Sequence, residues 1–258
     1  MILVLSGTSE AKELVAKLVE KDYGLVVTTA TAQGKKVLRE KVGDRAEIMA
    51  GRLSEKMLDD LIDQKKIKTI IDATHPFAEE ISRLAKNVAE KKDKRLIRLT
   101  RAKVKIPADY DNVSKVDGFT EAIDSLKKYS RILITTGSNN LEQLARLNNE
   151  KREVIVRVLP VINSIKKCRE LGFSVRQIIA CQGPFSQSFN EAVIKEYSIE
   201  AILTKASGQR GGLKEKLTAA YSQNIDIIII NRPEESESFA KTFYNIEFLL
   251  KFMNNNPD

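Results

Sequence analysis

Apolar residues in this chain fall into two arrangements: runs of four or five in a row, and stripes at three- and four-residue spacing. The first twenty residues hold one of each. Ile2-Leu3-Val4-Leu5 is too short for a helix and reads as a strand buried on both faces. Ser6-Gly7-Thr8-Ser9 breaks the run, and Ala11, Leu14, Val15, Leu18 and Val19 then mark one helix face. A strand, a tight turn and a helix N-terminus make a natural anion seat, because free backbone N–H groups and the positive end of the dipole point above the turn. The turn has one glycine where the G-x-G-x-x-G dinucleotide fingerprint has three.

The same unit recurs along the chain. Strands are predicted at 25–29, 46–50, 69–72, 95–99 and 113–116, with a helix over 119–128. Ser54 is placed to cap a helix whose inner face is Met57, Leu58, Leu61 and Ile62. Pro76 suits the first position of the next helix. The pattern then restarts at Arg131-Ile132-Leu133-Ile134-Thr135, and its turn Thr136-Gly137-Ser138-Asn139 echoes Ser6-Gly7-Thr8-Ser9. Further strands are expected at 154–158, 177–181, 201–204 and 225–230. The intervening helices include one with Ile162, Ile165 and Cys168 as its apolar positions, and a last amphipathic helix reaches Phe252. Strict alternation with short loops predicts an α/β fold of parallel sheets flanked by helices. The restart predicts two Rossmann-like domains, 1–128 binding a dinucleotide and 129–258 binding substrate, with the active site in the cleft between them.

Composition narrows the partners. The 258 residues carry a formal net charge of +8, which favours anionic ligands. The lysines are interleaved with glutamates, as in Glu13 with Lys17, so nucleic acid is not expected. Cys168 and Cys181 match no zinc spacing and are read as ordinary core or helix residues in a reducing cytoplasm. Met1 runs straight into the first strand without a predicted signal peptide, and no apolar run approaches the ~20 residues that span a bilayer. The expected state is a monomer or small homo-oligomer.

Candidate chemistry lies at strand ends, where open parallel sheets bind ligands. Thr28, Thr29 and Thr31 stand where an NAD site often has an acid for the ribose; with Lys35 and Lys36 nearby, they tilt a nucleotide reading toward NADPH. His75, the one histidine, precedes Pro76 and is placed at or beside a helix N-cap, where the dipole would keep the imidazole neutral; it is either a catalytic group or a cap. Lys205 through Gly212 joins a cation, a serine and three glycines between a strand and a helix, the composition of an anion nest. No Ser/His/Asp set, carboxylate pair or metal cluster stands out, which points to chemistry supplied by a cofactor.

Taken together, the loops resemble the precorrin-6A reductase family of cobalamin biosynthesis. The matching segments are Gly7-Thr8-Ser9-Glu10-Ala11, Gly51-Arg52-Leu53, Asp72-Ala73-Thr74-His75-Pro76-Phe77-Ala78 and Thr136-Gly137-Ser138. Arg157-Val158-Leu159-Pro160, Gln182-Gly183-Pro184-Phe185-Ser186, Thr204-Lys205, Ser207-Gly208, Gly211-Gly212, Glu215-Lys216 and Arg232-Pro233 follow in the family's order. Two positions depart from it: Ser6 replaces a glycine, and Ala206 replaces an aspartate, removing any acid there. The resemblance implies reduction of precorrin-6A, or its cobalt form, to the 6B dihydro product by NADPH or NADH. Members of the oxygen-dependent route use NADPH, and those of the cobalt-first route look NADH-dependent. It implies cofactor binding by Gly7, Thr8, Ser9, Glu10, Thr28, Thr29, Thr31, Gly51 and Arg52. A polycarboxylate tetrapyrrole would meet Arg101, Gln182, Ser186, Lys205, Ser207, Gly208, Arg210, Gly211 and Gly212. His75 and Lys205 are the candidate proton donors, beside water and the substrate's own carboxyl groups. The alternatives are another NAD(P)-dependent reductase on the same fold and a non-catalytic nucleotide-sensing module.

Overall fold

The computed structural model describes residues 1–102, 104–208, 211–233, 239 and 241–256. From the N-terminus, β1 (Ile2–Ser6), α1 (Ser9–Glu20), β2 (Leu25–Thr29), α2 (Ala32–Val42), β3 (Glu47–Ala50), α3 (Glu55–Gln64), β4 (Thr69–Ala73), α4 (Glu79–Lys91) and β5 (Arg95–Leu99) alternate. The chain continues through β6 (Val113–Val116), α5 (Phe119–Leu126), β7 (Arg131–Ile134), α6 (Leu141–Ala145), β8 (Glu153–Val158) and α7 (Ile162–Glu170). Then come β9 (Ile178–Ala180), α8 (Gln187–Glu196), β10 (Ala201–Lys205), α9 (Leu213–Ser222), β11 (Asp226–Ile230), β12 (Lys241–Phe243) and α10 (Ile246–Asn255).

The strands form two six-stranded sheets, ordered β12-β5-β4-β1-β2-β3 and β6-β11-β10-β7-β8-β9, and their pairings are parallel. Parallel sheets need both faces covered, and alternate side chains of β1 show how. Val4 packs on one face with Leu14 and Leu18 of α1 and Leu249 of α10, while Leu3 and Leu5 pack on the other with Leu58 of α3 and Leu84 of α4. In the second sheet Leu133, Ile155 and Ile202 pack with Val193, Leu213 and Leu217. Among the described residues no helix is long and apolar enough to cross a membrane.

The compact units are Met1–Arg101 with Pro233–Asp258 (unit 1) and Ala102–Arg232 (unit 2), a different division from the 1–128 and 129–258 reading. The reason is strand exchange: β6 pairs with β11 in the second sheet, and β12 returns to pair with β5 in the first. An apolar run announces a strand but not the sheet it joins. Three local expectations are also corrected. Met57 is 51% exposed, because the α3 stripe is Leu58, Leu61 and Ile62. Ile162 is 83% exposed and Ile165 is also exposed, since α7 turns Ser164 and Cys168 inward. Pro76 lies in a turn closed by Ala78 N–H donating to the His75 carbonyl at 2.8 Å, and α4 starts at Glu79. His75 is therefore not a helix cap, and the dipole argument does not apply to it.

Gly34 in α2 shows a helix packed tightly onto its sheet. A Cβ there would stand 2.2 Å from Oγ1 of Thr29, a buried and stiff side chain at the end of β2. Alanine normally favours a helix over glycine by about 1 kcal/mol. Gly34→Ala is expected to reverse that sign and destabilise by about 1–3 kcal/mol, with recovery in the Gly34→Ala/Thr29→Ala double variant, both read from denaturant midpoints.

Candidate functional site

Each sheet has one place where its strand order reverses, and ligands in such sheets bind there, beyond the carboxyl ends of the strands. In unit 1 it lies between β1 and β4; in unit 2 it lies between β7 and β10. The loops singled out from sequence follow these four strands: Gly7–Glu10 after β1, Thr74–Phe77 after β4, Thr136–Ser138 after β7 and Lys205–Gly208 after β10.

At the unit 1 crevice, Thr8 Oγ1 caps α1 by accepting from Ala11 N–H at 3.0 Å. The same hydroxyl donates to the Ala73 carbonyl at 3.0 Å and so ties the β1 turn to the end of β4. Gly7 is exposed, and a Cβ on it would sit 3.4 Å from His75 N and Thr74 Cα, in ordinary contact. Glu10 and Arg101 form a two-armed pair, Nε to Oε1 and Nη2 to Oε2, each at 2.8 Å, and Arg101 Nη2 also donates to Ser9 Oγ at 3.1 Å. Burial alone would push the Glu10 carboxyl up, but this guanidinium, the residue's own N–H and Ser9 together hold it below the usual range. Arg101, expected on the substrate, is thus engaged by the α1 turn.

The expected hydroxyl cluster is partly structural. Thr28 and Thr29 are buried at the end of β2, and Thr29 packs against Gly34. Thr31 caps α2 by accepting from Gly34 N–H at 3.0 Å. Gly51 donates to the Thr29 carbonyl at 2.9 Å with a left-handed φ of +132°, and Arg52 beside it is exposed.

Under the Thr74–Phe77 turn lies a network that the sequence reading did not find. Asp72 is fully buried and pairs with Arg98, itself 2% exposed, at 2.6 Å. Asp72 also accepts from Thr74 N–H at 3.0 Å, Thr74 Oγ1 at 2.6 Å and Ser82 Oγ at 2.6 Å. Arg98 donates to Thr74 Oγ1 at 3.2 Å. The signal was present: a charge inside an otherwise apolar strand requires a buried partner. Above the network, His75 Nδ1 accepts from Phe77 N–H at 3.3 Å, which leaves Nε2 to carry the proton of a neutral ring.

At the unit 2 crevice, Lys205 Nζ donates to Asn140 Oδ1 at 3.1 Å and lies 5.3 Å from the Phe119 ring centroid. Ser207 is buried, Gly211 N–H donates to the Gly208 carbonyl at 3.0 Å, and Gly212, the residue before α9, is left-handed. Arg232 Nε donates to the Ala206 carbonyl at 2.6 Å, holding the start of this loop. Arg210 lies outside the described residues. Ser186 caps α8 by accepting from Phe189 N–H at 3.1 Å, and Gln182 is exposed on the same loop. The reading also missed Arg157, Asn190 and Lys216, all buried in unit 2.

In unit 1, the exposed glycine at the strand-order reversal and the α1 N-terminus beside it fit a dinucleotide, and the end of β2 carries no carboxylate to repel a 2′-phosphate. Comparison with known proteins identifies the family. The family model described as "Precorrin-6x reductase CbiJ/CobK" matches residues 1–254. A "Cobalt-precorrin-6A reductase" of Priestia megaterium is 36% identical, over 91% of this chain and 91% of its own length. One from Methanothermobacter thermautotrophicus is 34% identical, over 96% of this chain and 82% of its own. A solved structure titled "CobK precorrin-6A reductase" superposes with a TM-score of 0.80 at 20% identity, covering 99% of this chain and 96% of that one, a likeness of fold.

Proposed function

Because the chain belongs to the precorrin-6x reductase family, we propose that it reduces cobalt-precorrin-6A to its 6B dihydro form with a nicotinamide dinucleotide held at the unit 1 crevice. The observation that carries the assignment of the dinucleotide to unit 1 is Gly7: an exposed residue without a side chain stands where the turn after β1 meets the turn after β4 at the strand-order reversal. The backbone of Gly7–Glu10 and the N-terminus of α1 would hold the pyrophosphate. When bound, the nicotinamide supplies the hydride, so no protein nucleophile is needed. The residues of this chain bind, orient and shield. The Thr8 hydroxyl and the Asp72–Arg98 network fix the two turns against each other. Lys205, oriented by Asn140, is a point charge suited to a substrate carboxylate, and His75 and Lys205 are candidate proton donors at the two crevices.

Mixing the protein with NADPH or NADH and cobalt-precorrin-6A tests the reading. The macrocycle's absorption is expected to change as the dinucleotide is oxidised; another reductase or a nucleotide sensor would leave the chromophore alone. Lys205→Ala is expected to raise the apparent substrate constant roughly tenfold while leaving dinucleotide affinity unchanged. Loss of dinucleotide binding instead would move the nucleotide to unit 2.

The relatives' cobalt-type substrate makes NADH the first dinucleotide to try, while the end of β2 carries no acid to exclude NADPH. NADPH is therefore expected to support turnover with an apparent constant within about tenfold of that for NADH. Steady-state kinetics with both would show this. A much larger preference for NADH would mean that Thr28, Thr29 and Thr31 serve the fold alone.

A further inference from the structure

Two buried cations in unit 2 belong to elements that pack on one face of its sheet: Arg157 shares its face of β8 with Ile155, which lies in one apolar cluster with Leu213 and Leu217 of α9, the helix that carries Lys216. Arg157, near the carboxyl end of β8, is 7% exposed, and its Nη1 donates to the neutral Asn190 Oδ1 at 2.9 Å. Its guanidinium lies over the Phe185 ring, 4.5 Å from the centroid, and Asn190 is fixed in turn by donating to the Ser186 carbonyl at 2.7 Å. Lys216, in the first turn of α9, is 5% exposed; its backbone N–H donates to the Gly212 carbonyl, and its side chain makes no hydrogen bond or ion pair with the described residues. Burial, and then the charge of Arg157, push Lys216 down to about 7, while burial brings Arg157 down to about 10.

The groups around them offset the two charges only in part. Glu215 favours the charged lysine but forms no ion pair with either cation among the described residues, and its Oε2 is buried without a hydrogen-bond partner. Burial pushes the Cys181 thiol up, so it stays uncharged beside Arg157 at neutral pH. Glu191 of α8 accepts from Ser222 and Gln187. Two like charges in a low-dielectric setting are unfavourable until an anion joins them, and Arg157 has N–H groups beyond the one given to Asn190.

We propose that Arg157 and Lys216 form a carboxylate-binding subsite beside the Gln182–Ser186 loop, taking one acidic side chain of the substrate. The identity of the ligand rests on the function proposed above; the subsite itself rests on the two cations. The Asn190 amide orients the guanidinium, the Phe185 face supports it, and Lys216 completes the pair as a point charge. At Gly183 a Cβ would stand 3.0 Å from the Phe185 ring, so the loop backbone passes close over this aromatic.

Acetate is the probe. In wild-type protein at pH 8 and constant ionic strength, replacing chloride by acetate is expected to raise the thermal midpoint. Arg157→Gln and Lys216→Met should each weaken acetate at least tenfold and leave dinucleotide binding unchanged. Calorimetric titration in buffers of different ionisation enthalpy should show proton uptake by the wild type, because the bound anion recharges Lys216, and none by Lys216→Met. The wild type alone gives a further readout. The folded lysine releases its proton near pH 7 and the unfolded one near 10.5, so the unfolded state holds more protons between them and stability rises with pH in that window. Acetate should move the lower edge of that rise upward. Wild-type protein indifferent to acetate, or variants responding as the wild type does, would overturn the subsite. Acetate binding as described without turnover of the tetrapyrrole would uphold the subsite and refute the substrate assignment.

Discussion

Arg98→Met is expected to destabilise unit 1 by about 3–5 kcal/mol, because it leaves the fully buried Asp72 carboxylate without its cation. Two hydroxyls and one N–H would still donate to Asp72, but they cannot supply the missing charge. The Asp72→Asn/Arg98→Met double variant should recover much of the loss, since no lone ion remains. Hydrogen exchange would show the effect by location: amides of β1, β4 and β5 should lose protection while those of β7, β8 and β10 keep theirs. The Thr74–Phe77 turn stands on this network, so dinucleotide affinity should fall in the single variant as well. Equal loss in the single and double variants would show that packing around Arg98, not the ion pair, carries the stability.

The period of the apolar residues made most of the strands and helices legible, because burial on both faces of a parallel sheet leaves no choice but continuous apolar runs. It could not show that β6 belongs with β11, since pairing is a long-range outcome and both strands look alike locally. Nor did it reveal β12, three residues on the edge of the first sheet. The loops at the two strand-order reversals were readable from their glycines, hydroxyls and cations. Their internal economy was not. Thr8 and Thr31 look like ligand hydroxyls in sequence and serve as helix caps in the structure. Arg101 looks like a free cation and is paired with Glu10. Arg98, Arg157 and Lys216 sit within or beside apolar runs, and only the folded chain shows which groups surround them.

Gly7→Val should weaken dinucleotide binding by roughly 100-fold, equivalent to about 2.7 kcal/mol, without unfolding the chain. The first carbon of a side chain at Gly7 finds ordinary contact with Thr74 and His75, so Gly7→Ala is a folding control with a smaller loss. The added methyls of valine crowd the exposed turn where the pyrophosphate backbone must approach. Fluorescence titration with NADPH and NADH would measure this, beside a denaturant curve for each variant. A folded Gly7→Val that binds as tightly as the parent would remove the dinucleotide from this turn.

The most direct test of the central claim follows one atom. The protein would be incubated without oxygen with cobalt-precorrin-6A and a dinucleotide deuterated at both C4 positions, and the product examined by mass spectrometry. Hydride transfer held between a bound nicotinamide and the macrocycle predicts a reduced product carrying deuterium from the dinucleotide, with one dinucleotide oxidised per macrocycle reduced. A reduced product free of label, or a macrocycle left unreduced while the dinucleotide is bound, would contradict it.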